Sequence, residues 1–236
     1  NIIAAVIAPL PMIWYSANYD RRSSFLVAII AVIVTFFIGG LLLIPASLIF
    51  AAAGVAIGDA IYNKKSKVFM FISTSIVLLV TFAIQYVISL RLFEVDFIRD
   101  SMELMKTSYI ESIKMTEKLT GQATPKEVMD NINNMLNMLE MTLPASITLA
   151  MLLVSFIIIT VNLPILKRLK VDVPKFGKFS ELRLPRSVLW YYLIALSINL
   201  FVQPEPNSSL AVIMLNISMI LWILLTLQGI SFIHFA

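Results

Sequence analysis

The chain has 236 residues, of which 59% are hydrophobic and only 14% charged, with a formal net charge of +4 and no cysteine. Mean hydropathy is +0.91, while a soluble domain carries roughly 25% charged residues. Composition therefore points to a membrane protein, and the missing thiols exclude disulfides, cysteine-ligated zinc and thiol catalysis.

Seven apolar segments follow in chain order, measured against the roughly 20 residues a bilayer crossing needs. Asn1 to Ala17 comes first. Phe25 to Gly39 is short for a full span and is continued by GGLLLIP. Leu41 to Ile61 is next. Val68 to Leu90, Leu143 to Leu166 and Leu210 to Ile233 are long and almost free of charge, and Ser187 to Val202 is a shorter seventh. No signal peptide is visible. Both chain ends lie inside apolar runs, so we expect a protein longer at each end. The reading by region is membrane helices over 1–93, an extracytoplasmic segment over 94–142, and membrane helices again over 143–236 around a basic loop at 167–186.

Charge gives the orientation, since Lys and Arg collect in short cytoplasmic loops. The connection at 18–24 is net +1, that at 63–67 is +3, and that at 167–186 is +5, whereas 94–142 is −4. Segment 94–142 is thus expected outside and 167–186 inside. The pI of 9.3 reflects this topology. The basic residues lie in short juxtamembrane loops without a basic helix or stacking platform, so nucleic acid is not an expected partner.

Within the first half, Gly54 and Gly58, with Ala52, Ala56 and Ala60, form a small-residue face for close helix packing. Asp59, one turn from a basic loop, is expected to pair with Lys64 or a neighbouring loop residue. Prolines 9, 11, 45, 144 and 164 mark span ends or kinks.

Segment 94–142 carries seven of the twelve methionines. Phe97, Ile98, Met102, Met105 and Tyr109 recur at helical spacing. Thr124-Pro125-Lys126-Glu127 reads as a capping box with proline at the first helical position, and Val128, Ile132, Met135 and Leu139 form a second stripe. Two amphipathic helices in a hairpin are expected, lying on the membrane, capping the bundle or meeting a partner. Methionine recurs at adaptable binding surfaces, so Met102, Met105 and Met135 are candidate docking residues. No histidine or cysteine accompanies them, and no metal or cofactor is expected.

Polar groups inside spans are costly in lipid and point to function. Gln85, Asn199 and Asn216 each sit roughly 6 to 10 Å below the outer surface at 1.5 Å per residue. With Arg91 at the mouth they are the candidate substrate-binding set, suited to a small neutral or amphiphilic molecule. The alternative is interhelical hydrogen bonding. No phosphate-cradling, dinucleotide-binding, zinc-protease or nucleophile-elbow motif occurs, so an enzyme is not expected and ATP hydrolysis would need another subunit.

The stretch FGKFSELRLPRSVLWYYL at 176–193 is the seam where the largest basic loop meets the next helix. Pro174 and Pro185 break it, and Trp190, Tyr191 and Tyr192 form an aromatic belt. Lys175, Lys178, Arg183 and Arg186 suit an anionic leaflet or a docking cytoplasmic partner. With the two residues before it, PKFGKFSELRLPRSVLWYYL at 174–193 resembles the signature of the YybS-like family of bacterial membrane proteins. FFIGGLLLIPASLIFAAAGVAIGDAIYNKKSK and DSMELMKTSYIESIKMTEKL are similar to the same family. The resemblance implies a bacterial cytoplasmic membrane protein, similar to the substrate-binding subunits of energy-coupling-factor transporters. Members are often encoded beside a membrane-bound cyclic-dinucleotide phosphodiesterase. Family members usually begin one helix earlier. The small-residue first helix with which such transporter subunits contact their energising partner is not present in this sequence.

The expected fold is all-α, a polytopic transmembrane bundle with a helical hairpin. Its expected role is a transporter-type substrate-binding membrane subunit, partnered by the lipid bilayer and a cytoplasmic ATPase or coupling module. The alternative is an accessory or scaffold protein that regulates another membrane protein.

Overall fold

The computed structural model describes residues 2–121, 125–174, 184–205 and 208–235. Among these residues every regular element is helical: α1 (Ile2–Ile7), α2 (Leu10–Asn18), α3 (Arg21–Gly39), α4 (Ile44–Tyr62), α5 (Lys67–Leu92), α6 (Phe97–Thr120), α7 (Lys126–Met141), α8 (Leu143–Arg168), α9 (Arg186–Ser197) and α10 (Ser209–Phe235). Five of these segments are long and apolar enough to cross a bilayer: α3, α4 with the 3₁₀ turn Leu41–Leu43 before it, α5, α8, and α10. Their outward side chains are largely hydrophobic; Phe37, Ile38 and Leu42, for example, are 79%, 82% and 87% exposed. Such a surface is stable only in lipid, and the fold is that of a multi-pass all-α membrane protein.

The other two expected segments are shorter, for local reasons. Residues 1–17 split into α1 and α2 at Ala8-Pro9. Pro9 and Pro11 have no N–H, so the carbonyls of Ala5 and Ile7 have no helical donor. Residues 187–202 form α9 and then a π turn, Ile198–Val202, ending at Gln203 with φ 45°. By contrast, Phe25–Gly39 is longer than it reads. Asp20 caps α3 by accepting from the N–H groups of Arg22 and Ser23 at 3.0 and 3.2 Å, so the helix starts at Arg21. It stops at Gly40, whose φ of 66° favours glycine.

The chain forms two compact units. The first comprises residues 1–88 and 147–177, the second 89–146 and 178–236.

In the first unit α2 crosses α4 at close range. A Cβ on Gly54 would lie 2.5 Å from Cβ of Met12, and one on Gly58 2.3 Å from Cβ of Ser16. The Gly54/Gly58 face is therefore used as expected. Around it one core joins Ile13, Ile57, Ile61, Met70, Leu78, Ile159 and Leu166 from α2, α4, α5 and α8, and a smaller one joins Met12, Ala28, Ala51 and Val55 from α2, α3 and α4. Two helix ends in this unit share one device. After α4, the N–H groups of Lys64 and Lys65 donate to the carbonyls of Ile61 and Ala60 at 2.9 Å each. After α8, those of Lys170 and Val171 donate to Lys167 and Leu166 at 3.1 Å each. This is the Schellman pattern, but the left-handed position is filled by lysine, at φ 51° for Lys64 and 63° for Lys170.

In the second unit α6 and α7 are the two helices expected of the hairpin. No α6 residue is buried, and Leu136 is the buried residue of α7. The stripe on α7 is turned from the expected one. Met129, Ile132 and Leu136 are its covered positions, whereas Val128, Met135 and Leu139 are 40%, 38% and 36% exposed. The two stripes share Ile132 and differ by about one residue of rotation. Pro125 stands at the N-cap, with Lys126 the first helical residue; Thr124 lies outside the described residues.

Candidate functional site

The carboxamides expected to share one pocket each have a partner of their own. Gln85 on α5 donates from Nε2 to the carbonyl of Pro45 on α4 at 3.2 Å. Asn199, in the π turn, donates from Nδ2 to Oγ of Ser218 on α10 at 3.2 Å. Asn216 is buried and fully engaged. Its Oδ1 accepts from the N–H of Ala145, and its Nδ2 donates to the carbonyls of Met141 and Val212, all at 2.7 Å. Three helix pairs are thus joined by three separate amides. Asn216 pins the α7–α8 junction to α10, satisfying an N–H at the start of one helix and a carbonyl at the end of another. Arg91 is exposed in the last turn of α5, where a cation complements the helix dipole.

Among the docking candidates, Met105 and Met135 are 40% and 38% exposed and Met102 is half-buried. Arg186 opens α9. Lys175, Lys178 and Arg183 lie outside the described residues.

Asp59 does pair with a neighbouring loop residue, but the partner is Arg21 rather than Lys64. The guanidinium Nε and Nη2 donate to the two carboxylate oxygens at 3.2 and 2.9 Å. Asn63 Nδ2 adds a third donor at 3.1 Å. Lys64 stands in the left-handed turn after α4, and Arg21 is the first residue of α3. This pair fastens the start of α3 to the end of α4.

Beyond that clasp α3 is loosely held. Its buried residues, Ser24 and Ala28, lie in its first two turns. Ala28, flanked by Val27 and Val32, packs with Met12, Ala51 and Val55 of α2 and α4; beside this contact lies an open groove of about 920 Å³ between α3, α2 and α4. Val27, Ala31 and Thr35 line the α3 wall, spaced four apart and so on one face over about 12 Å. Ser47, Phe50 and Ala51 of α4 and Leu10, Pro11, Met12, Trp14 and Tyr15 of α2 complete the lining, with Ala8 at the helix break and Leu169 beyond α8.

The lining is mostly apolar, and its few polar atoms are specific. The Thr35 and Ser47 hydroxyls donate back to the carbonyls of Ala31 and Ile44, at 2.8 and 2.9 Å, so their oxygens face any occupant as acceptors. Trp14 supplies an indole N–H, and Tyr15, stacked on Tyr19 at 4.5 Å between ring centroids, a phenol. A concave apolar site of this size with few polar groups is the usual form of a small-molecule site.

Sequence reasoning missed this groove, because no charge or motif marks it. It also missed Asn162, fully buried on α8. Its Nδ2 donates to the carbonyl of Val6 at 2.9 Å and to that of Ile158 at 2.8 Å, tying α8 to the broken α1. The available signal was an asparagine two residues before Pro164, within an apolar span.

Over residues 1–236 the chain matches the family model described as "Predicted membrane protein (DUF2232)". It belongs to that family. A Bacillus subtilis (strain 168) protein named uncharacterized protein YybS is 28% identical over 231 residues, covering 96% of this chain and 73% of that protein. The resemblance read from residues 174–193 therefore holds at the level of the family. No solved structure matches.

Proposed function

We propose that this protein is a transporter-type membrane subunit that binds a small lipophilic or amphiphilic molecule, without chemistry on it, in the groove between α2, α3 and α4. The observation that carries this reading is the groove itself. It is about 920 Å³, apolar and open, within the range of small-molecule sites. It is walled by a helix clasped at one end by Arg21 and Asp59. In this reading the ligand lies against Val27, Ala31 and Thr35. Asn216 serves the fold, and Gln85 and Asn199 each donate one side-chain hydrogen bond to a neighbouring helix. The bacterial cytoplasmic membrane, with 94–142 outside and 167–186 inside, is the setting that the charge distribution favours. The basic 167–186 loop is the surface offered to a cytoplasmic coupling partner.

The test is purification in mild detergent at native expression, followed by mass spectrometry of retained small molecules. The reading expects a near-stoichiometric compound in the wild type that is lost in Ala31→Trp, a variant that fills the groove from the α3 wall. Retention of nothing, or equal retention in a folded Ala31→Trp variant, would overturn it. The accessory-protein reading has one observation in its favour, the uncovered apolar side chains of α6 and α7, among them Leu104, Met115 and Leu119 at 70%, 66% and 78% exposure. Stoichiometric recovery of another membrane protein that is lost on Met115→Glu, with no small molecule present, would favour it.

A further inference from the structure

A second, smaller cleft of about 360 Å³ lies at the basic ends of α3, α4 and α5, lined by Arg21, Asp59, Tyr62, Asn63, Lys65 and Phe69. We propose that it holds the headgroup of an anionic phospholipid, independently of the groove and its occupant.

Three observations support this. First, the one carboxylate in the cleft is already neutralised. Asp59 accepts from Arg21 twice and from Asn63 once, so it does not repel an incoming anion, and one guanidinium nitrogen of Arg21 remains to donate. Second, Lys65 is held over the ring of Phe69 at 5.7 Å, which places its ammonium at the cleft's edge and leaves the lining net positive. Basic pockets between membrane helices recognise anionic headgroups in this way.

Third, an apolar track descends from the cleft along α5. Phe69, Ile72, Ile76 and Val80 are 50%, 48%, 55% and 50% exposed, and the same face continues through Ile84 and Val87 at 54% and 55%. Their spacing of three or four residues puts them on one helix face. From Phe69 to Val80 the helix rises about 16 Å. A single leaflet of a 30 Å hydrocarbon core is about 15 Å deep. The part of this face nearest the cleft thus lies within one leaflet, where an acyl chain attached to a bound headgroup would run, a contact that a free phosphate lacks.

The experiment reconstitutes the full chain into phosphatidylcholine nanodiscs containing 20 mol% phosphatidylglycerol (a chosen composition), then extracts it gently and measures co-purifying lipid by native mass spectrometry. Phosphatidylglycerol should be retained above its mole fraction. Lys65→Gln should lower that enrichment about fivefold, the worth of one basic residue at an anionic surface, and Lys65→Arg should restore it. In a parallel thermal-shift assay, short-chain phosphatidylglycerol should stabilise the protein more than inorganic phosphate or short-chain phosphatidylcholine. Retention of phosphatidylglycerol only in proportion to its mole fraction, unchanged enrichment in a folded Lys65→Gln variant, or a full shift with phosphate alone would each overturn the proposal.

Discussion

Substituting Gly58 by alanine tests the α2–α4 crossing directly. The added methyl carbon would sit 2.3 Å from Cβ of Ser16, 2.8 Å from the carbonyl oxygen of Ile13 and 2.8 Å from the carbonyl carbon of Ser16. Ordinary carbon contacts lie at about 3.5 to 4.0 Å, so the overlap exceeds 1 Å. Two of the three obstructing atoms are backbone, and no rotamer change removes them. Helix α2 must move away from α4, and overpacking of this kind costs about 1 to 3 kcal/mol. Alanine also has the better helix propensity, by about 1 kcal/mol, so Gly58→Ala alone understates the clash. Gly229→Ala on α10 is the proper reference, because nothing lies within 4 Å of its added carbon. The expected outcome is that Gly58→Ala is less stable than Gly229→Ala by about 1 to 3 kcal/mol, measured by denaturant unfolding of the purified protein in mixed micelles. Equal stability of the two variants would refute the close crossing.

Asn216→Leu should destabilise the protein by about 1 to 3 kcal/mol, the penalty for stranding the Ala145 N–H and Met141 carbonyl, while leaving small-molecule retention in the groove unchanged; unfolding and retention assays on one preparation check both. Asp20 has its carboxyl held below the ordinary carboxylate range by the Ser23 hydroxyl first, then by the Ser23 and Arg22 N–H groups. A lowered folded-state value contributes stability that is present above the unfolded value of 3.8 and lost as pH falls through the folded one. Melting curves of wild type and Asp20→Ala should therefore differ at neutral pH and converge under acid conditions. Lys64→Gly should stabilise the folded protein by up to about 1 kcal/mol, since it relieves about 1 to 2 kcal/mol of left-handed strain and adds about 0.5 to 1 kcal/mol of backbone entropy cost, seen as a higher unfolding midpoint.

Much of the fold is legible in the sequence because lipid allows few solutions. A charge-free run such as Val68 to Leu90 has to be a helix, since every backbone group must be bonded internally. Gly54 and Gly58 announce a close crossing by their spacing alone. The helix pair of 94–142 shows in its periodicity, but the rotation of α7 does not: its covered face is chosen by neighbours distant in sequence, and Val128/Met135 and Met129/Leu136 are equally good stripes. The same limit applies to the candidate site. Depth along separate spans placed Gln85, Asn199 and Asn216 on one level, but depth carries no information about azimuth, and each amide turned to a different neighbour. The groove is lined by residues of α2, α3 and α4 that are distant in sequence, and no local pattern records that.

The lysines at the left-handed ends of α4 and α8 bear on how the protein is made as well as on how it holds together. Glycine at those two positions would relax the turns, yet it would remove two positive charges from the stretches a nascent chain uses to choose its orientation. The folded state carries a small permanent strain while the inserting chain keeps its polarity cue. A redesign guided by melting temperature alone would accept both glycines, and its failures would be found in the fraction of molecules inserted backwards.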